Sequence, residues 1–284
     1  MAIDGTDPLQ TRLRHHLSHL VRDRSPYFAS EGHFYVQQYI QQELAVWGAI
    51  EPCSFTVRGK THTNWILHIT GQQADRPPIL VGAHYDTVPG SPGADDNATG
   101  VAALLEIARA LTLAPPRSPI QLVAFDLEEY GLAGSRYYAQ HLHQQGLSLR
   151  LMLSLEMLGY CCQQPQSQRY PPGLKLIYPD QGNFIALIGH WQTIPDMLRF
   201  WAGFRKAGVP SQWLPVIRQG HIVPDTRRSD HAPFWDWGYP AIMVTDTADL
   251  RNPHYHQPSD MLETLDLVFL TKVCQGLIHT ISEL

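Results

Sequence analysis

The stretch 82–100, GAHYDTVPGSPGADDNATG, constrains this chain more than any other. It is fed by Pro78, Ile79, Leu80 and Val81, an apolar, partly β-branched run of the kind that forms a strand buried on both faces. It is left through Val101, Leu104, Leu105 and Ala108, whose spacing predicts one face of a helix. Between the two stand His84, Asp86, Asp95, Asp96 and Asn97, broken by Pro89, Gly90, Pro92 and Gly93. An apolar strand that delivers a histidine and several carboxylates to one loop points to a metal site or a hydrolytic centre. Taken singly, His84 reads as a satisfied strand-end histidine and Asp96 as a helix N-cap. The functional reading rests on three further stretches with matching chemistry.

The chain has 284 residues, 44% hydrophobic and 17% charged, with a formal net charge of −5. No basic cluster accompanies that charge, which argues against nucleic acid as a partner. The fifteen histidines make any single one weak evidence. No apolar leader opens the sequence and no run reaches bilayer length, so neither secretion nor a membrane partner is expected. Cys53, Cys161, Cys162 and Cys274 show no CxxC spacing, which suits a reducing, cytoplasmic compartment.

Apolar periodicity predicts helices over 10–22 and about 32–47, then strands over 53–57 and 64–69 around an Arg58-Gly59-Lys60 turn. A strand at 120–125 runs into DLEEYGLAGS, a helix follows over 135–143, and an apolar run at 149–155 arrives at Glu156. Residues 161–173 read as an exposed loop, 174–178 and 184–188 as short strands, and 195–206 as a helix. Loop-rich sequence leads to SDHAPFWDWGYPA, a strand at 241–245, the loop NPHYHQPSD and a last helix over about 266–282. Alternating strands and helices predict a single α/β domain, 1–284, with a largely parallel sheet.

His84, Glu128 with Glu129, and Glu156 each fall at or just after the carboxyl end of a predicted strand, and His256 follows another. Open α/β sheets bind ligands outside those ends, so the four stretches are expected to converge there. Two histidines and three carboxylates suit a two-metal hydrolytic site of zinc, with Co²⁺ or Mn²⁺ as substitutes. Asp86, two residues after His84, is placed to reach its second ring nitrogen and fix the tautomer. Adjacent Glu128 and Glu129 divide naturally into one metal ligand and one proton shuttle. Alone, the pair reads as charges at a helix start.

These motifs, taken in order from Ile79 to Leu265, resemble the co-catalytic di-zinc aminopeptidases of the clan that includes glutaminyl cyclases and glutamate carboxypeptidases. The resemblance implies a mixed, mostly parallel sheet flanked by helices on both faces. It also implies two Zn²⁺, one held by His84 and Glu156, the other by Glu129 and His256, with Asp96 bridging. Glu128 then becomes the general base for a metal-bound hydroxide that attacks peptides with a free N-terminus. Many relatives carry Asp where this chain has Glu156, and they hold the peptide bond after the bridging Asp cis, here Asp96–Asn97. Where some place a tyrosine before the SDH histidine this chain has Thr226, so Tyr255 is expected to meet the scissile carbonyl. Asp230 and His231 lie near the site with no assigned role.

Three alternatives compete. A glutaminyl cyclase works at one zinc and does not need the full ligand set present here. A lid-domain amidohydrolase needs roughly a hundred further residues. A non-catalytic peptide-binding relative usually lacks a ligand or the base. Side-chain selectivity is expected from 160–195 and 213–223.

Overall fold

The computed structural model describes residues 7–284. Helix α1 (Pro8–Leu20) starts where the Asp7 carboxylate accepts from the Leu9 amide at 2.8 Å, with Pro8 in the first turn. Helix α2 (Ser30–Ala45) follows, then strands β1 (Ile50–Val57) and β2 (Lys60–Ile69). Their hairpin is longer than the sequence predicts, closing tightly at Arg58 and Gly59, both at positive φ (50° and 74°). Strand β3 (Ile79–His84), helix α3 (Gly100–Leu113), strand β4 (Ile120–Phe125), helix α4 (Ala133–Gln144) and strand β5 (Leu151–Glu156) come next. The chain ends with β6 (Ile185–His190), α5 (Ile194–Lys206), β7 (Ser211–Val216), α6 (His231–Asp236), β8 (Ala241–Thr245) and α7 (Leu267–Glu283).

The eight strands form one sheet in the order β1-β2-β4-β3-β5-β8-β6-β7. The pairs β3–β4, β3–β5, β5–β8 and β6–β7 are parallel, and β1–β2, β2–β4 and β6–β8 antiparallel. Strand periodicity divides the interior into two layers. Ile79, Val81, Leu151, Leu153, Ile242 and Val244 face one core with α1, α2, α3, α5 and α7. Leu80, Met152, Val123, Phe125 and Ala241 face the other, covered by α4 and α6. The mixed sheet with helices on both faces is the architecture the resemblance implies.

Two local expectations are corrected. Residues 174–178 make no strand: Leu174–Leu176 is a single 3₁₀ turn that joins neither edge of the sheet, and Leu176 is 93% exposed. The loop-rich stretch hides β7, whose Pro215 is tolerated because the strand is an edge paired only to β6. Among the described residues no helix is long and apolar enough to cross a membrane.

Candidate metal centre

Strands β3, β4, β5 and β8 carry their carboxyl ends to the same side of the sheet, and the quoted motifs begin there. His84 closes β3 and Glu156 closes β5. His84 Nε2 lies 3.2 Å from Asp96 Oδ1 and 3.6 Å from Glu156 Oε1. Asp96 turns its other oxygen away: Oδ2 is 3.1 Å from His256 Nε2, which is 3.2 Å from Glu129 Oε2. The ligand atoms thus form two triads, His84/Asp96/Glu156 and Asp96/Glu129/His256, each within 4.8 Å throughout. One carboxylate joins them.

Asp96 is aimed by the loop around it. The turn at Ala94–Thr99 kinks at Asp96 and Asn97, and the bond between them is cis. The backbone amides of Asp95 and Asp96 donate to the two oxygens of Asp260, at 2.9 and 3.1 Å. Asn97 donates to the Leu155 carbonyl at 2.8 Å and accepts from the Met157 and Gly100 amides, both at 3.1 Å, so the loop is stitched to the end of β5. Beneath it lies Arg24, fully buried, whose guanidinium donates to the carbonyls of Tyr85, Pro92 and Gly93 at 2.7, 2.7 and 2.9 Å. Gly93 itself sits at φ 59°, and a Cβ there would strike the Asp96 carbonyl.

The neighbours of the triads reach further than the sequence shows. Asp86 Oδ1 is 3.4 Å from His84 Nδ1, close enough to pair electrostatically though outside hydrogen-bond geometry. The same carboxylate accepts from the Glu128 and Glu129 amides at 3.0 and 3.2 Å, binding the β3 loop to the β4 loop. Ser229 donates to Glu156 Oε2 at 2.7 Å and meets Ser154 at 2.8 Å. Asp126 accepts from His33 at 2.8 Å and His62 at 3.1 Å, anchoring the segment that leads to the glutamates. Local sequence pattern assigns no role to Ser229, Asp260, Arg24 or Asp126. Ser229 and Asp260 stand inside the quoted SDH and HQPSD stretches; nothing in the sequence singles out Arg24.

Asp230 is buried with neither oxygen hydrogen-bonded, and desolvation pushes its carboxyl up to about 7. His231 Nε2 faces the Thr226 carbonyl at 2.8 Å, and burial pulls its imidazole down to about 3. Neutral His231 therefore donates within the α6 region and joins neither triad.

The cluster is short of positive charge. Burial raises Glu128 well above the carboxylate range, with Glu129 and Glu156 adding to it against His84. Burial and then Asp96 push Glu129 up to about 7. Desolvation opposes protonation of His256, yet Asp96 and Glu129 outweigh it and carry the imidazole to about 10. Both nitrogens of His84, Nε2 of His256 and Oε1 of Glu129 are buried without a hydrogen-bond partner. Buried polar atoms left open in this way are costly, and a cation in each triad would satisfy His84 Nε2 and His256 Nε2, while His84 Nδ1 faces Asp86. Imidazoles with carboxylates form a donor set that fits zinc. The triads open into a cavity of about 230 Å³ lined by Asp96, Glu128, Glu129, Gly131, Leu132, Glu156, Arg228 and Tyr255.

The family pattern of peptidase family M28 matches residues 64–194, the span from β2 through both acidic loops and Glu156. The chain belongs to peptidase family M28. It is 39% identical over 218 residues to the uncharacterized protein YfbL of Escherichia coli (strain K12), covering 72% of this chain and 66% of that one. It is 32% identical over 189 residues to the aminopeptidase YwaD of Bacillus subtilis (strain 168), covering 65% of this chain and 36% of that one. The chain thus spans less than two thirds of either curated relative. The crystal structure of the Legionella pneumophila LapA aminopeptidase superposes with a TM-score of 0.74 at 20% identity, over 97% of this chain and 72% of that one. A Porphyromonas gingivalis glutaminyl cyclase does so at 0.67 and 20% identity, over 96% of each. At such identity these structures share the fold alone with this chain.

Proposed function

We propose that this M28 chain, as a single domain, is a zinc-dependent aminopeptidase that removes N-terminal residues from peptides. The observation that carries the reading is the position of Asp96, one oxygen beside His84 and the other beside His256. A shared carboxylate between two imidazole–carboxylate groups is what a co-catalytic metal pair requires. His84, Glu156 and Asp96 would hold one Zn²⁺, and Asp96, Glu129 and His256 the other, with Co²⁺ or Mn²⁺ as substitutes. Bound there, the ions supply Lewis acidity and make a water molecule acidic near neutral pH.

The chain's own groups do the rest. Glu128 is the base that takes the proton of the attacking water and returns it to the leaving amine. Its side chain lines the cavity into which both triads open. Tyr255 lines the same cavity, and its hydroxyl is the donor for the carbonyl oxygen as charge develops there. Asp86 orients His84. Acidic groups around the cleft favour a cationic amino terminus. The cleft adjoins an apolar cavity of about 80 Å³ that includes Tyr170, Tyr178, Phe184 and Trp213, and we assign the N-terminal side chain to it. Four free thiols fit a cytoplasmic setting.

Metal analysis together with turnover of a series of aminoacyl anilides tests the reading. The expected result is zinc-dependent release of the aniline and no pyroglutamate from a glutamine-initiated peptide. Pyroglutamate without anilide hydrolysis makes the chain a cyclase. Zinc binding without either reaction makes it a binding protein.

A further inference from the structure

We infer that Arg228, backed by Asp249, is a positioning residue that makes the Tyr255 hydroxyl a donor toward the cleft. The inference rests on the reading of Tyr255 given above. Arg228 Nη2 donates to the Tyr255 oxygen at 3.1 Å, and Nη1 donates to Asp249 Oδ1 at 2.8 Å. The guanidinium carbon stands 5.4 Å from the centre of the Tyr255 ring. The ring also stacks on the His256 imidazole, centroids 3.7 Å apart and planes inclined by 21°. The phenol is therefore held twice, by its ring and by its oxygen.

The hydrogen-bond inventory then decides where the proton goes. A phenol has one O–H to give and lone pairs to accept with. A guanidinium only donates, so Arg228 occupies a lone pair and leaves the proton unspent. Among the described residues the Tyr255 O–H has no hydrogen-bond acceptor, and the side chain lines the cavity that holds Asp96, Glu128, Glu129 and Glu156. A hydrogen bond accepted from a cation also draws electron density from the phenol oxygen and strengthens its O–H as a donor. Asp249 fixes the guanidinium plane from the far side. Both partners of that ion pair are 42% exposed, so the pair adds little to stability. Its consequence lies in geometry, and Arg228 can be removed without unfolding the chain.

A double-mutant cycle on the zinc-loaded protein tests this, with an aminoacyl p-nitroanilide as the probe. Tyr255→Phe is expected to lower kcat about 10²-fold, the loss typical of one oxyanion donor. Arg228→Ala is expected to lower kcat about tenfold with KM and zinc content unchanged, as misplacing a reacting group does. Added to Tyr255→Phe, Arg228→Ala should cost nothing more, and Arg228→Lys should recover part of the loss in the Tyr255 background. In a crystal structure of Arg228→Ala the phenol oxygen should leave its place. Losses that multiply, a change in KM alone, or a phenol that does not move in Arg228→Ala overturn the inference while the Tyr255 reading stands. Full turnover by Tyr255→Phe overturns the Tyr255 reading itself, and the role of Arg228 with it.

Discussion

His84 and Glu156 stand side by side at the carboxyl ends of β3 and β5, Nε2 to Oε1 3.6 Å apart. The parallel register pairs Gly82 with Ser154, and two residues further along each strand come these two side chains. Strand alternation turns both toward the face of Leu80 and Met152. Sheet register thus sets their separation, and the loops bring Asp96, Glu129 and His256 to them.

The paired glutamates are expected to fail differently. Glu128→Gln should keep its zinc and lose about 10²–10⁴ in turnover, the usual worth of a positioned base. Glu129→Gln should lose the ion shared with His256, because a neutral amide is a poor zinc ligand. Metal analysis beside anilide hydrolysis checks both. Near wild-type activity in Glu128→Gln with full metal in Glu129→Gln reverses the two roles.

Zinc should stabilise the fold. A ligand held at a thousand times its Kd adds about 4 kcal/mol, so a chelator is expected to lower Tm and zinc to restore it. His84→Ala should shrink that difference. A Tm indifferent to chelator counts against a tight metal centre.

Asp260 should matter to metal binding without touching it. Its two oxygens occupy the Asp95 and Asp96 amides. Asp260→Ala leaves those buried donors open, a cost of about 1–3 kcal/mol. Zinc affinity is expected to fall about 10–100-fold, as when supporting contacts around a metal are lost. Calorimetric unfolding and competition with a zinc indicator measure the two effects.

Trp213 tests the assignment of the apolar cavity. Trp213→Ala should lower kcat/KM for a phenylalanine anilide relative to an alanine anilide, with the alanine rate nearly unchanged. Equal losses on both substrates place the N-terminal side chain elsewhere.

Asp126 governs an acid limb. Burial raises its carboxyl, but hydrogen bonds from His33 and His62 outweigh this and hold it below the ordinary range. A carboxyl lowered on folding stabilises the native state above its unfolded value, near 4, and loses that contribution as pH falls through the folded value. Wild-type Tm should therefore drop below about pH 4. Asp126→Asn should flatten that drop and cost about 1–3 kcal/mol at neutral pH, since the amide keeps one acceptor and leaves one of the two imidazoles without its partner. An unchanged acid limb in the variant removes Asp126 from the account.

The sequence by itself determined the elements that carry local signals and the acidic and imidazole side chains that stand where strands end. Buried strands such as Ile79–His84 announce themselves as unbroken apolar runs, and His84, Asp96, Glu128, Glu129, Glu156 and His256 stand out where such runs stop. Residues 174–178 show where local propensity ended: an apolar run became an exposed turn that pairs with no strand of the sheet. Pro215 hid β7, because only sheet order shows that an edge strand can spare its amide. Tertiary structure alone decided that Asp96 divides its oxygens between His84 and His256. It alone placed Ser229 on Glu156, Asp260 on the Asp95 and Asp96 amides, and Arg24 beneath the loop. Such contacts join residues up to 165 positions apart. Periodicity and propensity act over a few residues, so only the assembled sheet and its loops could bring these partners within a hydrogen bond of one another.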